Sequence, residues 1–433
     1  MSVRGQAMTA AALALALLLP AAGCGPRLVW SGHDSTGALR AAVFAADGKE
    51  WLATGADVGD RFDVVDLEAI AFSPDGSRLA YAAMEGGSWW IVIGPERLGP
   101  WTDVSEPRFG GDGRHFAFLA QAADGWHAVV DGIPGSAFET VQPHTLQFSP
   151  DGQHVALVAR SKGCAVVVVD GVPGPCRERV RALRLTDTGA AGIFREGPSD
   201  HFFNGPESGP AVEEIGEWAV TPDGARFAYA ARTGLRWVVQ VDGAAVSRCE
   251  RVQHLLFGDD GRRVAWVCIA GSRASVVVDG VPGAEALVVS DLVLAAHAPA
   301  HAYVARDAGG VWVVTDGSRL GPFADVEDLR LGAGGGAPVF VARSNGRSRV
   351  VHNAGVTPVD APVEGTLVAS RDGTHWALVD GDPSRHVLWL LLDGRKIREV
   401  RPDEVFGVSR DQRSVWMTRA LHELLRTGGQ GGS

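Results

Sequence analysis

From about Phe44 to Trp416 the chain is a series of short runs in which apolar and polar residues alternate, separated by turn residues. Alternation with a period of two puts successive side chains on opposite faces, which is the pattern of β-strands with one buried face. Helical periodicity is nearly absent, and only Thr418 to Arg426 has the spacing of a short helix. One string recurs: an apolar residue, a small residue, a turn with Asp-Gly, then an apolar run. It reads Phe72-Ser-Pro-Asp-Gly76 before Leu79-Ala-Tyr-Ala-Ala83, Phe109-Gly-Gly-Asp-Gly113 before Phe116-Ala-Phe-Leu-Ala120, and Phe148-Ser-Pro-Asp-Gly152 before Val155-Ala-Leu-Val-Ala159. Further copies are Val220-Thr-Pro-Asp-Gly224, Phe257-Gly-Asp-Asp-Gly261 and Ser370-Arg-Asp-Gly373. Weaker copies begin at Phe44, Thr186, Ala298, Gly332 and Ser409.

A second motif sits at a fixed place within each unit: Val129-Val-Asp-Gly-Ile-Pro-Gly135, Val167-Val-Val-Asp-Gly-Val-Pro-Gly174 and Val276-Val-Val-Asp-Gly-Val-Pro-Gly283. Asp-Gly between β-branched runs marks a type I′ hairpin, because both central residues need positive φ. Two hairpins per unit predict up to four antiparallel strands. The units recur about every 35 to 39 residues after a shorter first interval, near the roughly 40 residues of a four-stranded propeller blade.

The Phe-Ser-Pro-Asp-Gly string followed by Leu-Ala-Tyr resembles the WD40-like repeat of TolB-type periplasmic propellers, which also builds the propellers of prolyl-oligopeptidase-type enzymes. The resemblance runs from about Phe44 to Trp416 and implies an all-β fold, a β-propeller of four-stranded antiparallel blades. Roughly ten units fit one large ring or two smaller ones, and no composition break divides them. The expected division is a leader over 1–23, a tether over 24–40, the repeat array over 41–420 and a tail over 421–433.

The leader changes the picture of address. Arg4 precedes an apolar stretch from about Ala10 to Leu19, too short to span a bilayer of roughly 30 Å as a helix but suited to a secretory signal. Ala21-Ala22-Gly23 leads into Cys24, an arrangement that resembles a bacterial lipobox and implies diacylation of the Cys24 thiol. The same small residues also permit ordinary signal-peptidase cleavage. Gly25 follows in place of an Asp, so the expected destination is the outer membrane facing the periplasm, or the cell surface. The formal charge is −11 with only three lysines. An acidic chain repels phosphate backbones, which argues against a nucleic-acid partner.

The recurring Asp75, Asp112, Asp151, Asp223 and Asp260 fit a turn role, since Asp caps its own turn before Gly. Trp89, Trp90, Trp126, Trp237, Trp312 and Trp389 recur at one register, which fits packing between blades. The most divergent unit carries His201, Phe202, Phe203 and Asn204 before a polar Pro206-Glu-Ser-Gly-Pro210, a candidate enlarged binding loop. His297 and His301 are four apart, but in a turn and strand that spacing does not make a metal pair. Four cysteines follow Cys24. Cys164 and Cys176 flank the Asp170-Gly171 hairpin one residue out of ideal register, which a bulge at Pro173-Gly174 would correct. Cys249 and Cys268 are the second pair, with buried thiols as the alternative for all four. No catalytic motif, metal set or cofactor loop is present in the sequence.

The expected function is therefore a lipid-anchored, non-catalytic module of the cell envelope that binds a protein or peptide partner. A funnel-face enzyme of glycan-lyase or lactonase type, with His, Asp, Glu or Asn converging from several blades, is the alternative. A structural spacer of the envelope is a third.

Overall fold

A computed structural model describes residues 27–33, 39–54, 57–296, 298–316, 318–332, 334–353, 355–370, 374–382 and 387–400, with Val405 and Met417. Cys24, His297, the copy at Ser409 and the stretch Thr418 to Arg426 lie outside these residues. The described chain is all-β, built of antiparallel blades of the β-propeller type. Ten sheets follow one another, and within each the strands neighbour in chain order. We number them blades 1 to 10: 27–58, 64–101, 103–134, 140–173, 179–208, 214–249, 251–286, 288–323, 325–359 and 361–400. In blades 4 and 10 the first strand is split into two short pieces that pair with the same neighbour. The chain divides into two compact units, with blades 1–5 in the first and blades 6–10 in the second, apart from the turn 222–225, which belongs with the first.

The Asp-Gly turns have the conformation their sequence requires. Asp131 and Gly132 have φ of 50° and 80°, Asp170 and Gly171 49° and 77°, and Asp279 and Gly280 51° and 83°. Each blade has three turns, however, where the repeat pattern predicts two. The additional turn joins the second and third strands, as at Lys162-Gly163, where Ser161 faces Cys164. Its residues vary from blade to blade, so no string marks it. The copy at Phe44 belongs to this class. Asp47-Gly48 joins the second and third strands of blade 1, Leu39–Ala46 and Lys49–Thr54. The short first interval is thereby explained. Arg27–His33, expected as part of a tether, is the first strand of blade 1 and pairs with Leu39–Ala46.

Within each unit, consecutive blades pack face to face through the second strand. Its second residue is Ala80, Ala117, Ala156, Ala228, Ala265, Ala302 or Ala377, each wholly buried. The next residue points to the preceding blade and is bulky in most: Tyr81 packs with Ala41 and Val43 of blade 1, Phe118 with Ala80 and Ala82 of blade 2, and Tyr303 with Ala265 and Val267 of blade 7. A small residue on one face and a ring on the other fill the gap between sheets about 10 Å apart. In blades 4 and 5 that residue is Leu157 and Gly192. Val405 and Met417, both helical, are fully buried against Val379 and Leu390 of blade 10.

Candidate functional site

In four blades of the first unit the fourth strand is only two residues long: Asp57–Val58, Ile133–Pro134, Val172–Pro173 and Glu207–Ser208. The chain then leaves the ladder and rejoins it once, Phe138 opposite Trp126 and Arg177 opposite Ala165. In all four the next residue is a glycine that donates to a third-strand carbonyl, Gly59 to Leu52 at 2.8 Å, Gly135 to Ala128 at 2.9 Å, Gly174 to Val167 at 2.8 Å and Gly209 to Phe202 at 2.8 Å. In blades 3 and 4 the residue before it is a proline, which has no N–H of its own for the ladder. A Cβ on Gly174 would stand 3.1 Å from the Val167 carbonyl oxygen. A side chain there would need the carbonyl to give by a few tenths of an ångström.

Where a broken fourth strand precedes a blade with a small inter-blade residue, a cleft opens. The first lies between blades 3 and 4, about 370 Å³, with Ile133, Pro134 and Ser136 on one side and Leu157 and Val168 on the other. The second lies between blades 4 and 5, about 430 Å³, walled by Val172, Pro173, Pro175, Phe194 and Phe203. Blade 4 is the partition. Along its third strand, Cys164–Val169, Val168 lines the first cleft while Val167 and Val169 line the second, as alternation across a strand dictates. Ile133 and Val172 are 72% and 69% exposed.

The polar groups are few and mostly engaged. At the first cleft His115 Nδ1 meets Asp131 Oδ2 at 2.8 Å, and the second Asp131 oxygen accepts the Phe116 N–H at 2.9 Å. Blade 4 repeats this: His154 with Asp170 at 2.7 Å, and Val155 N–H to Asp170 at 2.9 Å. Hydrogen bonding to the carboxylates raises both imidazoles above their ordinary pKa. At the second cleft the one charged lining residue is Arg177. Its guanidinium lies 3.8 Å over the Phe194 ring and reaches Glu196 at 3.5 Å and Ser208 Oγ at 3.2 Å. Such an arrangement orients apolar and weakly polar groups. Among the described residues no group of three His, Cys, Asp or Glu is placed to hold a metal ion.

The cysteines form two disulfides. Cys164 and Cys176 have Cα atoms 5.6 Å apart, and Cys249 and Cys268 5.4 Å. The first pins the Pro173-Gly174-Pro175 wall to its own third strand. A bulge is present there, but it shifts register in the opposite sense to the one expected: Val168 faces Pro173, whereas Ala165 faces Arg177. Cys164 and Cys176 are therefore diagonal neighbours. The second bridge joins two blades, the fourth strand of blade 6 to the second strand of blade 7.

The expected binding loop at His201 to Asn204 is a strand, Ser199–Asn204. Phe202 and Phe203 are buried because the ring at each position replaces a core valine. Phe203 still reaches the second cleft as part of its wall. His201 stacks on Phe194 at 4.9 Å and nearly parallel, and Asn204 is half-buried at the strand end. Asp200, next to them, is wholly buried between Arg181 and Arg195. The turn aspartates act as expected: Asp75, Asp112, Asp151, Asp223 and Asp260 each accept the backbone N–H two residues on. Trp89, Trp90, Trp126, Trp237, Trp312 and Trp389 are half-buried, with Trp89, Trp126 and Trp389 packed on blade cores.

No protein-family model matches the chain, and no curated protein matches it. Solved structures do match. A eukaryotic initiation factor aligns over 83% of this chain and 96% of its own at 12% identity, TM-score 0.42. The β-propeller domain of the Trilobed protease from Pyrococcus furiosus aligns over 59% and 96% at 12% identity, TM-score 0.28. A putative TolB from Agrobacterium tumefaciens aligns over 52% and 80% at 13% identity, TM-score 0.25. Likeness at this level concerns fold alone and attaches neither ligand nor reaction to this chain.

The clefts have a sequence signal that the repeat reading passed over. The third position of the second strand reads Tyr81, Phe118, Leu157, Gly192, Tyr229, Trp266 and Tyr303. Leu157 and Gly192 belong to the two blades that open a cleft; blade 10 is also non-aromatic there, with Leu378, and carries Trp376 on the same face.

Proposed function

We propose that this chain is an exported binding module of the cell envelope, anchored through a diacylated Cys24, which holds an apolar stretch of a protein or peptide without transforming it. The adjacent clefts of blades 3–5 carry this reading. They are concave, apolar and walled by exposed β-branched residues, with polar groups already paired within the fold. Binding sites commonly combine a cavity of roughly 300–1,000 Å³ with a few oriented polar groups. Two disulfides fit an oxidising compartment.

The test is photo-crosslinking in living cells. A photoreactive residue replacing Val172 is expected to give a discrete adduct that fractionates with the membrane, and that becomes soluble when Cys24→Ser removes the anchor. The same residue at Leu235, 96% exposed and not among the residues lining either cleft, is expected to give none. Absence of any adduct at Val172 and Ile133 would overturn the proposal.

A further inference from the structure

We infer that the two clefts are halves of one site for an extended peptide bearing two aliphatic side chains three residues apart, with a basic residue between them. The inference rests on the binding reading above and specifies its partner.

Spacing comes first. The clefts lie on opposite faces of blade 4, with Val168 in one and Val167 and Val169 in the other. Stacked sheets are about 10 Å apart, so anchors seated in successive gaps are separated by roughly that distance. A polyproline II chain advances about 3.1 Å per residue with three residues per turn, so its positions i and i+3 point to the same side and span the partition.

The ridge between the clefts sets the chemistry of the crossing. It is the turn of blade 4: Asp170 and Gly171 line the first cleft, and Val172 begins the second. Nothing lies within 4 Å of the position a Cβ would take on Gly171, so a peptide backbone can cross it closely. Asp170 and Asp131 on the rim keep 46% and 43% of their side chains exposed. Each already pairs with a histidine, His154 or His115, so a cation at the crossing would share these carboxylates, and the chain charge of −11 favours it there. Ile133 and Val172 are stiff at χ1, so their apolar faces are ordered before binding.

The probe is a fluorescein-labelled peptide, Gly-Ser-Leu-Pro-Lys-Leu-Ser-Gly, titrated with the purified mature chain and followed by polarisation. Saturable binding is expected. Ile133→Asp and Val172→Asp are each expected to weaken it at least tenfold, and Leu157→Phe, which fills the first cleft, to do the same. Val281→Asp, at an equally exposed position of the same motif in blade 7, is expected to leave it unchanged. Placing the two leucines side by side is expected to reduce binding to that of a one-leucine peptide, and Lys→Glu to weaken it several-fold. Unchanged circular dichroism and melting of each variant keep the comparison on binding. The inference is overturned by no binding, by equal binding of the side-by-side peptide, by an equal loss in Val281→Asp, or by vesicles displacing the peptide. Crosslinks at Val172 in cells with no peptide binding would overturn this inference and leave the broader reading; loss of both would overturn both.

Discussion

Five blades, 3, 4, 6, 7 and 10, are held together at single residues by a latch across the blade. The aspartate of the turn between the third and fourth strands receives a backbone N–H from the start of the second strand on one oxygen and a basic side chain on the other. That side chain is His115, His154 or His375, or the Nε of Arg226 or Arg263. The turn role of Asp was legible from its Asp-Gly context. Its second role was not, although the signal is present: a His or Arg two residues after the first turn's glycine, with the Asp 16 residues further on in four blades. Asp170→Ala removes the acceptor of the Val155 N–H and is expected to cost about 1–2 kcal/mol, with Asp170→Asn recovering part of it, as thermal unfolding will measure. The latches also carry pH dependence. His115 and His154 titrate above their ordinary value when folded, so their stabilisation is complete below about pH 6.5 and is lost as pH rises through the folded pKa. His301 is held low chiefly by burial and works in the opposite sense, losing its contribution as pH falls. Asp75, drawn down to about 2 first by the Ser73 hydroxyl and then by Ser77, stabilises above about pH 4 and loses that contribution as pH falls toward 2. Replacing both His115 and His154 by Gln is expected to reduce the excess of melting temperature at pH 6 over pH 8.

At the scale of elements, three of the four strands of a blade follow directly from alternation and turn chemistry. The fourth does not follow from the Pro-Gly step or from the donors after it, since blade 3 breaks at Pro134 although Ser136 and Ala137 can donate. Blade 7 carries Val281-Pro-Gly283 and then Ala-Glu-Ala286, all able to donate, and its fourth strand continues over Val281–Ala286. Blade 4 has Pro175 immediately after Gly174, and pairing resumes only at Arg177. The motif alone was therefore insufficient to reveal the clefts. Blade 5 shows how close backbone approach sets the second cleft. A Cβ on Gly192 would lie 2.1 Å from the Ala182 carbonyl oxygen and 3.0 Å from the Phe203 ring. Neither neighbour is a free-swinging chain end, so backbone has to shift. Gly192→Ala is expected to cost about 2–3 kcal/mol and to disturb Phe203 with it, measurable by denaturant unfolding.

For the whole molecule, the blade repeat was readable across nearly the full array because every blade solves the same packing problem with the same local residues. The grouping into two five-blade units was not, since the repeat and composition run on without a break through 212–226. The binding site was also illegible as a site. It is made by deviations from the repeat, a proline here and a leucine or glycine in place of an aromatic there, and His201 to Asn204 drew attention as a loop when only Phe203 contributes, as a wall. Exposed β-branched residues alone do not define it either, because Val281 is 70% exposed on an unbroken strand.

Hydrogen–deuterium exchange tests the clefts most directly, comparing the chain in its native membrane fraction with the purified chain. Occupancy predicts slower exchange over 131–138 and 170–177 in the membrane fraction, with 279–286 unchanged. Slower exchange elsewhere, with both cleft segments exchanging as in the purified chain, would contradict binding at these clefts.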